Sequence, residues 1–227
     1  MTIAEPLAYQ ETLRGAYVMT SFAERSALIK EQVTAEGKKL GGEAIIDDDL
    51  LDEVTALNEW PVALAGSFDE DFLRVPPEAL VSSMKEHQKY FHVMKDGKLL
   101  PNFITVSNIE SKDPAQVISG NEKVIRPRLA DAAFFWDTDR KQKLESRFEK
   151  LENVVWVNKL GSIADKARRI SALATRIAGE TGGDAALVQR AAQLCKNDLV
   201  SQMVFEFTDL QGLAGKYYAE HDGERAD

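Results

Sequence analysis

One cysteine in 227 residues, Cys195, leaves no partner for an intrachain disulfide, which suits a reducing compartment. No histidine stands beside it, so the sequence reads it as a small buried residue and not a nucleophile. Histidine is almost as scarce: His87, His92 and His221 are the full set. His87 and His92 lie five apart, whereas a helical zinc pair needs a spacing of four and a further ligand, so no metal site is expected. No apolar run approaches the length of a membrane span, and the start lacks a basic-then-apolar leader. Internal repeats and low-complexity tracts are also missing. The net charge of −9 argues against a stand-alone nucleic-acid binder.

The charge is unevenly spread. Residues 1–75 hold 6 Lys+Arg against 15 Asp+Glu, residues 76–150 hold 13 against 11, and residues 151–227 hold 9 against 11. Only the middle third is net positive, which makes it the favoured place for phosphate contact.

Periodicity predicts a long helix over Glu11 to Lys39, with Leu13, Tyr17, Phe22, Leu28 and Val33 recurring roughly at helical spacing. Asp47 to Asp49 read as the capped start of a second helix, not as a metal cluster, and Pro61 ends it. Val62 to Phe68 and Phe72 to Val75 read as strands, and Pro76-Pro77-Glu78 opens a third helix to about Lys89. Tyr90 to Met94 and Leu99 to Val106 form a hairpin about Lys95-Asp96-Gly97-Lys98, with Pro101 at an edge or bulge. From Asp113 onward the chain reads as helical, Asp184 being a natural N-cap.

Three blocks stand out. The first is Met84-Lys85-Glu86-His87-Gln88-Lys89-Tyr90-Phe91-His92. The second runs from Ser119 to Lys141, with five cations, four acids and the triplet Phe134-Phe135-Trp136, opening on a Gly120-Asn121 helix-start signal. Lys123, Arg126 and Arg128 in it are either a compact phosphate-facing patch or, for the arginines, partners of Asp131; Arg140 is open to Asp137 and Asp139 in the same way. Three adjacent aromatics point in different directions, so at least one belongs to a core. The third block is Leu194-Cys195-Lys196-Asn197-Asp198-Leu199 with Met203 to Phe207 and Leu210-Gln211-Gly212.

Together these blocks resemble, in order and spacing, the beta subunit of the bacterial two-subunit glycyl-tRNA synthetases, over roughly Phe22 to Glu224. Met84, Lys85, Gln88, Lys89, Tyr90 and Phe91 match that family's Met-Lys-x-x-Gln-Lys-Tyr-Phe motif, in a part similar to the B3/B4 module of the phenylalanyl enzyme. The module's editing activity is not carried over, since no catalytic residue is matched. Pro101 to Glu110 follows the same pattern; its asparagines read as turn and edge residues or as RNA contacts. Leu160 to Lys166 and Arg168 to Ile170 match the opening of an HD-like domain, and Asn197-Asp198 stands where a working HD hydrolase has His-Asp to hold a metal.

The resemblance implies an α+β fold. Residues 1–152 are a B3/B4-like module, with a small mixed or antiparallel sheet and flanking helices. Residues 153–227 are the first part of a degenerate, all-helical HD-like domain, the boundary lying near Asn153 to Lys159, and the finish at Arg225-Ala226-Asp227 reads as a cut within a longer chain. It implies a cytoplasmic, non-catalytic fragment without cofactor, in an enzyme that uses ATP and Mg to join glycine to tRNA. The implied partners are the alpha subunit, which holds the adenylate-forming site, and tRNA(Gly), with no membrane or DNA. Candidate tRNA contacts are Lys85, Lys89, Lys123, Arg126, Arg128, Arg140, Lys141, Lys166 and Arg169. The competing readings are a metal-dependent HD-type phosphohydrolase and a subunit-contact scaffold without RNA contact.

Overall fold

A computed structural model describes Thr2, Ile3 and residues 5–225; Ala226 and Asp227, part of the expected cut, lie outside the described residues. The fold is α+β and divides into two compact units, Met1–Ala130 and Asp131–Asp227. The sequence places a boundary later, near Asn153 to Lys159. In the structure residues 131–152 belong to the second unit, because the 3-10 segment Leu144–Asn153 packs on helices later in the chain.

In the first unit the long helix expected from Glu11 is two helices, α1 (Tyr9–Arg14) and α2 (Phe22–Lys39). Gly15 caps the first, Tyr17 turns through a φ of 61°, and the Ser21 hydroxyl accepts from Glu24 N to start the second. The buried face of α2 is Ile29, Val33 and Gly37, not the expected set, and Phe22 is exposed. Gly37 is required by packing: a Cβ there would sit 2.6 Å from the Ala44 nitrogen of β1 (Glu43–Ala44). α3 (Asp48–Leu57) starts where expected, Asp47 accepting from Leu50 N, and β2 (Val62–Ser67) comes next.

Phe72 to Val75 is not a strand. Asp69 accepts from Asp71 N, and the local cap winds Glu70–Arg74 into a 3-10 helix. α4 (Pro77–Ser82) runs into a π-turn at Ser83–His87, ended by Lys89 at a φ of 59°. β3 (Phe91–Lys95) and β4 (Lys98–Ser107) form the expected hairpin. Asp96 and Gly97 take φ values of 49° and 75°, the left-handed pair a tight primed turn demands.

The sheet order is β1-β3-β4-β2, antiparallel throughout, with β4 interior. Pro101 is tolerated because the register shifts between His92 and Met94, so it sits at a bulge, its carbonyl accepting from Phe68 N at 3.0 Å. On one face Phe91, Val93 and Ile104 join Ile29, Val33, Leu50, Leu51 and Val54 in a core. Residue 103 points the other way. Phe103 is fully buried, stacked on Tyr90 with ring centroids 4.6 Å apart, and it lies over Gly66, its register partner.

α5 (Pro114–Asp139) is the longest helix and runs through the division between the units. It starts well before Gly120, which is interior, and it contains Pro127. Tertiary anchors compensate for both residues. The Tyr90 hydroxyl donates to Asn121 Oδ1 at 2.6 Å, and Glu122 Oε1 accepts from Ser67 N and Oγ. Ile125 and Leu129 lie in the interior, whereas Val124 is exposed.

Burial raises the Tyr90 phenol from its ordinary value to about 12. An unfolded tyrosine ionises near ~10, so between these values the unfolded chain holds fewer protons than the folded one. Stability should therefore be unaffected below pH ~10 and fall by about 2–3 kcal/mol by pH 12. Denaturant titrations of the wild type and Tyr90→Phe at pH 9 and 11.5 test this, and equal pH dependence in both proteins would refute it.

The second unit is not wholly helical. β5 (Val155–Val157) and β6 (Gly161–Ser162) pair antiparallel before α6 (Ile163–Thr181). Ser162 and Asp165 form a reciprocal capping box on α6, and Gly182 closes it at a φ of 77°. α7 (Ala185–Leu194) starts on the Asp184 cap. The helical run then breaks into a 3-10 turn at Asn197–Val200 and α8 (Gln202–Glu206), because the Ser201 hydroxyl starts a new helix by accepting from Val204 N. α9 (Leu213–His221) is the last element. Cys195, expected buried, is exposed.

Candidate nucleic-acid interface

The candidate cations fall into committed and available groups. Lys85 Nζ lies 3.1 Å from Asp47 Oδ2, and Lys89 Nζ lies 2.9 Å from Glu53 Oε2. The hydrogen bond to Asp47 raises the Lys85 pKa, while the Leu50 N–H, followed by Lys85, lowers that of Asp47. The two lysines of the Met84–Phe91 motif thus fasten the π-turn to the start and middle of α3. Tyr90 and Phe91 are core residues, and His92, half-buried, has its pKa lowered by burial. The motif is explained within the fold.

Asparagines in and just after β4 are likewise engaged. Asn108 Oδ1 accepts from Glu59 N at 2.7 Å and Trp60 N at 2.8 Å, and Asn102 Nδ2 donates weakly to Gly66 O at 3.4 Å.

Lys123, Arg126 and Arg128 are different: all three are exposed. None has an ion pair or side-chain hydrogen bond among the described residues, so the suggested Asp131 pairs are not formed. Lys123 and Arg126 are three apart and share a side of the helix. Arg128, two beyond Arg126, emerges on another side, so the compact patch narrows to Lys123 and Arg126. From Pro114 to Ala130 the lone acid is Glu122, and its carboxylate is turned to β2. No exposed acid on this stretch offsets the cations. Pro127 adds one further polar group, since it has no N–H for the Lys123 carbonyl four residues back.

In the second unit Arg140 lies over the Trp136 ring at 5.1 Å and its Nη2 is 3.1 Å from His221 Nδ1; it does not pair with Asp139. Lys141 and Arg169 are exposed. Lys166 Nζ sits 3.2 Å from the centre of the Trp156 ring. Of the aromatic triplet, Trp136 is buried and Phe134 is 61% exposed.

The sequence does not reveal the hub of this unit. Asp139 is buried and accepts from Gln202 N, Met203 N, the Tyr218 hydroxyl and Arg147. Its partners stand 63 to 79 residues away, apart from Arg147, a separation no local pattern encodes.

Asn197 and Asp198 are both fully buried. Asn197 Nδ2 donates to Leu144 O at 3.1 Å, while Asp198 Oδ2 accepts from Gly212 N and from Gly215 N at 3.1 Å. Asp198 thus holds the start of α9. With one carboxylate oxygen bound by amides and an amide where imidazole would stand, the doublet does not fit a water-activating metal.

Comparison with known proteins gives a consistent result. The family described as "Glycyl-tRNA synthetase beta subunit" matches residues 1–227. The glycine–tRNA ligase beta subunit of Marinobacter nauticus is 59% identical over 230 residues, covering 100% of this chain and 33% of that protein. That of Chromohalobacter salexigens is 61% identical over 217 residues, covering 95% and 32%. The chain spans about a third of the length of the curated relatives it matches.

Proposed function

The chain belongs to the glycyl-tRNA synthetase beta-subunit family, and on that premise we propose that it is the segment that helps bind and position tRNA(Gly) for glycylation carried out with the alpha subunit. The enzyme as a whole joins glycine to tRNA with ATP and Mg in the cytoplasm. This segment supplies no catalytic residue and no cofactor site. Its N-terminal part is a B3/B4-like module and its C-terminal part an HD-like helical domain that has given up metal chemistry for a structural carboxylate. No helix of the described residues is long and apolar enough to cross a membrane.

The observation that carries this reading is the outer side of α5, where Lys123 and Arg126 are exposed without an acidic partner among the described residues, in a chain of net charge −9. Cations held on a rigid helix neutralise phosphates and release counterions, a sequence-independent contribution suited to positioning. Arg126 adds a planar fork matched to phosphate oxygens.

In the intact enzyme, Lys123→Ala with Arg126→Ala should raise the KM for tRNA and flatten the salt dependence of binding. Two lost contacts should reduce the slope of log affinity against log salt by about 1.4–1.8. Glycine-dependent pyrophosphate exchange should be unchanged. A salt slope equal to wild type, with or without a lower thermal midpoint, would make the cations structural and refute the assignment.

A further inference from the structure

Within the second unit, α6, α7 and the 3-10 segment Leu144–Asn153 border a cavity of about 580 Å³, in the size range of small-ligand sites. Phe148 and Leu194 give it apolar walls. Gln189 and Gln193, one turn apart on α7, line its exposed side with no side-chain hydrogen bond among the described residues. Two deeper polar groups are also unpartnered. Thr34, Thr55 and Thr181 each donate to the carbonyl four residues back, as helical threonines commonly do. Thr175 does not, and its hydroxyl oxygen is buried without a partner. Asn197 is fully buried; its Nδ2 is occupied by Leu144 O, and its Oδ1 meets no donor. Buried polar atoms without partners cost stability, so folded proteins keep few of them. Here both residues line the same cavity. The charged lining residues, by contrast, are paired: Arg168 with Glu152 and Asp165, Arg190 with Glu224 and with Glu145. No cation of the cavity is left unpaired to take a phosphate.

We propose that this cavity takes an adenine base. Asn197 Oδ1 can only accept, which calls for an N–H donor such as an exocyclic amino group. The Thr175 hydroxyl can donate to the ring nitrogen beside that group, and the apolar walls suit the faces of the ring. The volume admits a purine with its sugar, whose hydroxyls match the amides of Gln189 and Gln193. The base belongs to a free nucleoside or to an unpaired nucleotide of an RNA; its recognition is the same in both. The inference stands on α6, α7 and Asn197 and is independent of the cations of α5.

Calorimetric titration of the full-length beta subunit with adenosine tests it, and a Kd of about 0.1–1 mM is expected. Purine riboside, which lacks the amino group, should bind about 10-fold more weakly. Thr175→Val should weaken adenosine binding about 5- to 10-fold without lowering the thermal midpoint, because the hydroxyl it removes has no partner in the protein. Ala172→Trp, at an exposed position of the cavity wall, should abolish binding by filling the space. Lys123→Ala with Arg126→Ala should leave adenosine binding unchanged, which separates a failure here from a failure of the α5 assignment. Displacement of adenosine by tRNA(Gly) would identify the occupant as an unpaired base of the RNA, and simultaneous binding of the two would identify it as a free nucleoside. No adenosine binding at millimolar concentration, equal affinity for purine riboside, or binding that survives Thr175→Val or Ala172→Trp unchanged would each overturn the proposal.

Discussion

Replacing Asp139 by alanine is expected to destabilise the second unit by about 3–5 kcal/mol, the cost of breaking a buried charged network from one side. Asp139 Oδ1 accepts from Gln202 N and Arg147 Nη2, both at 3.1 Å. Oδ2 accepts from Met203 N and the Tyr218 hydroxyl, both at 2.9 Å. Two of these donors are the first amides of α8, so the carboxylate also meets the positive end of that helix. Without it the Arg147 charge is left buried, and the Tyr218 hydroxyl loses its acceptor in a setting where burial, with Asp139 adding to it, pushes the phenol pKa well above the ordinary value. Tyr218→Phe alone should cost less, about 1.5–3 kcal/mol, and the double variant less than the sum of the two. Hydrogen exchange is the measurement of choice. Amides from Met203 to Phe207 should lose protection in Asp139→Ala while those of β3 and β4 keep theirs. A cost below about 1 kcal/mol would mean the network is incidental.

The second large effect is expected at Phe103. Phe103→Ala should destabilise the first unit by about 3–5 kcal/mol, removing a fully buried ring and leaving a cavity between β2 and Tyr90. The ring fills the space left by the missing side chain at Gly66, where a Cβ would come within 2.4 Å of the ring's Cζ. Gly66→Ala should therefore also destabilise, by about 1–3 kcal/mol, through overpacking. Combining it with Phe103→Leu should recover part of that loss, because the smaller side chain vacates the contact. Urea denaturation monitored by circular dichroism decides the matter. If Gly66→Ala is neutral, the close approach of ring and backbone has no energetic weight.

Local signals in the sequence are legible where a few adjacent residues decide the conformation. Asp96-Gly97 dictate a turn by accepting positive φ, and Asp47 and Asp184 cap helices with their own side chains. Misreadings arise where distant groups decide. Gly120 looks like a helix start, yet it lies inside α5 because Asn121 and Glu122 are anchored to Tyr90 and Ser67, 31 and 55 residues away. Phe72 to Val75 has strand composition, but the Asp69 cap competes and wins. Lys85 and Lys89 read as RNA-contact candidates, and their ion pairs with Asp47 and Glu53 are invisible in the sequence because those acids lie more than thirty residues away. The available cations are visible in composition; their freedom from acids is not, since it depends on where Glu122 points.

The π-turn at Ser83–His87 has an evolutionary consequence. A wide turn accommodates one residue more than a regular helical path of the same reach, so this stretch is the site in the first unit where chain length and lysine placement are tied together. A lineage that deleted one residue here would tighten the helix and swing Lys85 about 100° around its axis, away from Asp47. Descendants of such an event would be expected to carry a compensating cation elsewhere opposite the α3 cap.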